Sequence, residues 1–178
     1  EPYFIKYIQE YILSKTNISD LVIVSPDEGA VKRAVRIASH LQCAAATIFK
    51  ERTEPNIVDK MTLMGHVNNK IAIIVDDIID TAGTACKAAE VLKEKGAKEI
   101  YMLACHGLLS GSAYEQIENS CFTNVIVTNT VPIIKKSSKI KIIDVSWLCA
   151  ESIIRQIKGQ SIQELYPNNF NKYNICFI

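Results

Sequence analysis

Apolar positions along the chain change rhythm repeatedly, and each change predicts an element. At residues 2–14 Phe4, Ile5, Ile8, Tyr11 and Ile12 fall at helical spacing, which predicts a helix with one buried face and Pro2 in its first turn. A turn at 17–20 leads to a short buried strand at 21–24, and a helix follows at 31–41. An alanine-rich strand at 43–49 precedes a polar stretch, 53–60, expected to be a mobile loop, then a small strand at 61–63 and a turn at 65–69. The run 71–75 has the length and β-branching of a strand buried on both faces, and the Ala, Leu, Glu and Lys of 86–96 predict a helix closed by Gly96. Strands at 99–103, 122–127 and 139–144 follow, with a short helix at 112–119 between the first two. Ser146 is expected to cap a last helix whose apolar face is Trp147, Leu148, Ala150, Ile153, Ile154 and Ile157, ended by Gly159. The asparagine-rich tail 160–178 has no assignable pattern. Strands alternating with helices predict an α/β fold, one domain spanning 1–178. Its mainly parallel open sheet is flanked by helices, with a ligand site at the carboxyl ends of the strands.

Chemistry concentrates in IAIIVDDIIDTAGT at 71–84. A buried strand runs into an acidic pair, Asp76 and Asp77, and then into Asp80, Thr81, Ala82, Gly83 and Thr84 at a helix start. The first amides of a helix have no partner within it and lie at the positive end of its dipole, so a loop of small residues admits a phosphate. Thr81 and Thr84 add hydroxyl donors. Carboxylates repel a phosphate but accept hydrogen bonds from sugar hydroxyls and help hold a hydrated divalent cation. The ligand inferred is a phosphorylated sugar. Neither a Walker A lysine nor a GxGxxG turn is present.

Two other strand exits carry candidates. In 25–30, Gly29 and Ala30 allow close backbone approach and Asp27 suits metal or sugar, although a capped turn has the same composition. Lys50 and Arg52 share a face if the strand extends through Glu51, and paired cations suit anionic phosphates or else a solvated surface. His106, after the strand at 99–103, is a base in one reading and a hydrogen-bonded packing residue in the other.

Composition narrows the classes. A chain of 178 residues, 48% hydrophobic, buries a sizeable core, and a net charge of +1 with scattered Lys and Arg speaks against nucleic acid. Lys135, Lys136, Lys139 and Lys141 form a modest cluster, read as a solvated loop. The six cysteines lack CxxC spacing and read as buried thiols of a reducing compartment. With no apolar run of membrane-spanning length and no signal-peptide pattern, the expectation is a cytoplasmic protein with no membrane partner.

The segments SPDEGAVKRA at 25–34, KER at 50–52, VDDIIDTAGT at 75–84, CHGLLSG at 105–111 and TNT at 128–130 resemble ribose-phosphate pyrophosphokinase, or phosphoribosyl pyrophosphate synthetase. The strand, acidic pair and Asp-Thr-x-Gly-Thr loop resemble type I phosphoribosyltransferases more broadly. The likeness extends to about Tyr166 but covers only the carboxyl-terminal half of that two-domain family, so the chain is expected to be one domain of a longer polypeptide. The resemblance implies magnesium-dependent transfer of the diphosphoryl group of ATP to the anomeric hydroxyl of ribose 5-phosphate by a homo-oligomer. It implies that Asp80, Thr81, Ala82, Gly83 and Thr84 hold the 5-phosphate and that Asp76 and Asp77 hold the ribose hydroxyls. Asp27 takes the metal contact, and Lys50 and Arg52 are catalytic. The resemblance also implies that much of the ATP site belongs to an amino-terminal domain of the longer polypeptide. The family usually has a second glycine where Ala30 stands and a small residue at Glu28. Two other functions stay open: a noncatalytic paralogue that regulates the enzyme, against which the intact acids and cations speak, and a free-standing phosphoribosyltransferase, in which SPDEG and KER are not expected.

Overall fold

The computed structural model describes residues 1–51 and 60–165. Arg52, residues 53–59 of the predicted loop, and the tail from 166 lie outside the described residues. The chain opens with α1 (Pro2–Tyr7), continued by a widened turn at Ile8–Ile12 and a 3-10 turn at Leu13–Lys15, so the predicted helix is one helical run of three pitches. Then come β1 (Leu21–Ser25), α2 (Val31–Leu41), β2 (Ala44–Glu51), β3 (Lys60–Met64), β4 (Ile71–Ile79), α3 (Gly83–Glu94) and β5 (Glu99–Gly107). The series ends with α4 (Ala113–Asn119), β6 (Asn124–Thr128), β7 (Ile140–Ile143) and α5 (Ser146–Ile157).

One seven-stranded sheet has the order β3-β2-β1-β4-β5-β6-β7. All its pairings are parallel except β2 with β3, which run antiparallel at one edge. Both faces are covered, which is why the central strands read as unbroken apolar runs. On β4, Ala72 and Ile74 enter the core under α3 and α4, while Ile71, Ile73 and Val75 enter the core under α1 and α2. β1 pairs with β2 on one side and β4 on the other, with Val24 beside both Ala46 and Ile74. The strand order therefore reverses at β1 and β4, and α/β sheets bind ligands in the crevice at such a point.

Two expectations about element ends change. β4 does not stop at Val75: it continues to Ile79 because β5 runs alongside, pairing Asp76 with Ala104 and Ile78 with His106, so the acids lie within the strand's last turns of pleat. Ser146 is not the cap of α5; that position is Val145, and Asp144 Oδ1 accepts from the Ser146 amide at 2.8 Å. The apolar stripe of α5 is largely uncovered, with Ile157 81% and Trp147 56% exposed, and Leu148 packs against the core.

Of the cysteines, Cys43, Cys86, Cys105, Cys121 and Cys149 are free thiols, and burial pushes Cys43 and Cys86 up to about 11. Cys149 is exposed, unlike the buried thiols expected. Among the described residues no helix is long and apolar enough to cross a membrane.

The connection from β6 to β7 is tied to α4 by Glu118. Its carboxylate accepts from Ser137 Oγ at 2.5 Å and from Ser138 N and Oγ at 2.8 and 2.9 Å. These bonds favour the charged form and lower Glu118 from 4.5 to about 2. A depressed carboxylate contributes stability that is present above its unfolded-state value and is lost as pH falls through the folded one. A carboxyl-carbon NMR titration is expected to find Glu118 ionised at pH 3; a midpoint near the ordinary value would remove the tether.

Candidate active site

At the carboxyl end of β4 the chain needs three residues, Asp80, Thr81 and Ala82, to turn into α3. The helix opens earlier than its sequence suggests, with Ala82 as the residue before Gly83 and the first helical bond from Cys86 N to Ala82 O at 2.8 Å. The amides of Gly83, Thr84 and Ala85 thus precede the helical ladder. Ala82 sits at φ 64° and ψ −6°, a left-handed conformation disfavoured for any residue with a Cβ, and its side chain is buried. The loop is braced from β5: Leu108 N donates to Ile79 O at 2.9 Å and Ser110 N to Asp80 O at 3.1 Å. This gives the CHGLLSG segment a structural reason that its residue types did not suggest.

A cleft of about 240 Å³ lies against this loop. It is lined by Asp27 from the β1 exit, Lys50 from β2, and Asp76, Asp80, Thr81, Ala82 and Thr84 from the β4–α3 corner. Seven of the ten sequence-predicted site residues thus share one cleft. Gly83 starts the helix behind the loop and is absent from the lining. Asp77 faces a neighbouring cavity of about 400 Å³, which also touches Asp76 and has largely apolar walls that include Tyr3, Phe4 and Leu148. Arg52 is outside the described residues.

Asp27 closes its own turn and also lines the cleft. Its Oδ1 accepts from the Ala30 amide at 3.1 Å, and the side chain still lines the cleft. The Ser25 hydroxyl donates to the Asp27 carbonyl from below. Ala30 has φ −88° and ψ −4°, a conformation that needs no glycine, so its departure from the family pattern leaves the turn intact.

Arg33 was missed by the sequence reading. From the first turn of α2 it reaches across the sheet, with Nη1 3.1 Å from Asp76 Oδ1 and Nη2 3.4 Å from Asp77 Oδ2. Burial pushes Asp76 above the usual carboxylate range, helped by the neighbouring charges of Asp77 and Asp27. At Asp77 burial acts in the same direction but is outweighed by hydrogen bonding with Asp76 and by the Arg33 guanidinium, which hold that group low. The two carboxylates therefore differ in proton affinity although they are adjacent. His106 is held by Thr130, Nδ1 to Oγ1 at 2.8 Å, as the hydrogen-bonded reading expects. Thr128 Oγ1 and Thr130 Oγ1 both donate to Cys105 O, and Asn129 Nδ2 donates to Asp144 Oδ1 at 2.7 Å, so the TNT segment fastens β6 to β5 and to the start of α5.

Residues 54–167, more than half of the chain, match the phosphoribosyl synthetase-associated domain. The chain belongs to this family. It is 47% identical over 171 residues to ribose-phosphate pyrophosphokinase 3 of Saccharomyces cerevisiae, covering 94% of this chain and 52% of that protein. The phosphoribosylpyrophosphate synthetase of Mycobacterium smegmatis superposes with a TM-score of 0.79 at 33% identity, over 88% of this chain and 50% of that one. The adenine phosphoribosyl transferase of Trypanosoma brucei, solved with AMP, pyrophosphate and ribose 5-phosphate, has a TM-score of 0.51 at 18% identity, over 78% of this chain and 70% of that one. That likeness concerns the fold alone. The fold is that of the type I phosphoribosyltransferases. The chain spans about half the length of the synthetases it matches.

Proposed function

We propose that this chain is the ribose 5-phosphate-binding domain of a ribose-phosphate diphosphokinase. The observation that carries the reading is the convergence of the Asp80–Thr84 loop with Asp27, Lys50 and Asp76 in one cleft at the sheet's switch point. Open amides and two hydroxyls suit the 5-phosphate, and Asp76, which lines both the cleft and the adjoining cavity, together with Asp77 at that adjoining cavity, suits the ribose hydroxyls. The amide and hydroxyl donors hold the sugar by its phosphate, the carboxylates orient the ring, and the anomeric oxygen is left for the phosphoryl group. Lys50 places a cation on the side of the cleft opposite the loop, where charge on a transferring phosphoryl unit needs stabilisation. A second domain, supplying most of the ATP site, and assembly of a homo-oligomer belong to the same proposal.

Magnesium fits the donor set. Asp27 has one oxygen engaged by the Ala30 amide, leaving the other to a cation. Among the described residues no group of three or more His, Cys, Asp and Glu encloses a metal. Magnesium suits such a site because it keeps several waters and takes one or two carboxylates plus substrate phosphates. When bound it supplies charge neutralisation between phosphate oxygens.

Titration calorimetry of this chain with ribose 5-phosphate and magnesium is expected to give saturable binding that ribose alone does not reproduce. Incubation with ATP as well is expected to release no AMP until the second domain is restored. Absence of ribose 5-phosphate binding to the folded chain would overturn the reading.

A further inference from the structure

Two carboxylates one residue apart repel each other and, left alone, have no reason to adopt a single arrangement. Here a third group imposes one. Arg33 lies 43 residues before Asp76, on α2, which packs into the same core as Ile73 and Val75 of β4, and its forked head spans both acids. Its Nη1 takes Asp76 Oδ1, which also accepts the Asp77 amide at 2.9 Å, and its Nη2 takes Asp77 Oδ2. One oxygen of each acid is thereby engaged by the guanidinium, and the other oxygen of each is not. The Arg33 side chain is 26% exposed and that of Asp76 24%, so that half of the fork is partly shielded from water, while Asp77, 63% exposed, meets the guanidinium at the open side.

We propose that Arg33 is a positioning residue that fixes Asp76 and Asp77 in the one arrangement able to accept two adjacent hydroxyls of the same sugar ring. This rests on the assignment of the acidic pair to ribose under the proposed function. A lysine in its place keeps the charge but offers a single compact ammonium, which cannot hold two carboxylates in a defined spacing. The consequence is selectivity: a sugar phosphate lacking one hydroxyl of the pair leaves one carboxylate oxygen unmatched.

The test is calorimetric, on this chain, with ribose 5-phosphate, 2-deoxyribose 5-phosphate and inorganic phosphate as probes. The unaltered chain is expected to prefer ribose 5-phosphate over the deoxy sugar by about tenfold or more, the usual scale for one hydrogen bond to a charged group. Arg33→Gln and Arg33→Lys are both expected to bring that ratio to about one while inorganic phosphate binds as before, because the phosphate loop does not depend on the guanidinium. Retention of the ratio in either variant would overturn the proposal, and retention in Arg33→Lys alone would mean that charge suffices. Loss of inorganic phosphate binding in both variants would assign Arg33 to the fold and overturn it too. If the unaltered chain binds the two sugars equally, this proposal falls and the proposed function stands; if it binds neither, both fall.

Discussion

Replacing Lys50 by alanine in the full-length protein is expected to cut turnover by about a hundredfold to a thousandfold, roughly 2.7 to 4 kcal/mol. Ribose 5-phosphate is expected to bind with little change. Lys50 lies on β2, opposite Met61 of β3, and enters the cleft from the strand on the far side of β1 from the phosphate loop. The loop's amides and hydroxyls come from a different corner, between β4 and α3, so the sugar's phosphate does not rely on this cation. A charge that meets the transferring group acts mainly in the transition state, and its removal lowers turnover and the specificity constant together. Arg52 stands two positions on in the sequence, and Arg52→Ala is expected to behave likewise. Steady-state AMP release over a range of ribose 5-phosphate concentrations separates the terms. Near-normal turnover in Lys50→Ala, or a loss confined to KM, would return this residue to the surface.

How far the site could be read in advance depended on sequence distance. The loop at 80–84 was legible because strand, small residues and helix follow one another without a break, and each piece has its own local cause. Asp27 was legible for a similar reason, since a Pro-Asp-x-Gly turn before a helix has few other shapes. Arg33 was not, because nothing local marks it: it is one of many basic residues on a helix, and its importance arises only when β1 and β4 become neighbours. The extent of β4 was hidden by a related effect. Charge in a strand pattern reads as an end, yet Asp76 and Asp77 stay in extended backbone because β5 offers its ladder and because the open end of the sheet leaves the acids reachable by Arg33.

The helix termini teach a narrower lesson. Ser146 has the right composition for a cap, but Asp144 lies two residues earlier and takes the amide, while Asn129 binds both Asp144 Oδ1 and Ser146 Oγ. On α5 the apolar spacing predicted the stripe correctly and said nothing about what faces it. Ile153, Ile154 and Ile157 remain exposed in this domain. Apolar periodicity identifies a face, and packing decides whether that face is covered.

Thr84→Val should separate ligand binding from folding at the phosphate loop. Thr84 is the second residue of α3, and its exposed side chain lines the cleft beside Asp80 and Thr81. Valine keeps the shape and removes the hydroxyl, so the change deletes one donor without opening a cavity. A hydrogen bond to a charged group is worth about 1.5 to 3 kcal/mol, which corresponds to roughly tenfold to 150-fold weaker binding of ribose 5-phosphate. Inorganic phosphate is expected to lose affinity by a similar factor, since the contact is to the phosphate and not to the sugar. Thermal stability should move little, because exposed positions without a buried partner usually change by no more than about 0.5 kcal/mol. That combination distinguishes Thr84 from Ala82, where a buried side chain at positive φ ties the loop's shape to the fold itself. Calorimetry with both ligands and a thermal melt of the same preparations provide the measurement. Unchanged affinity for both ligands in a normally folded Thr84→Val chain would mean that the phosphate sits elsewhere, and the assignment of the 80–84 loop would fall with it.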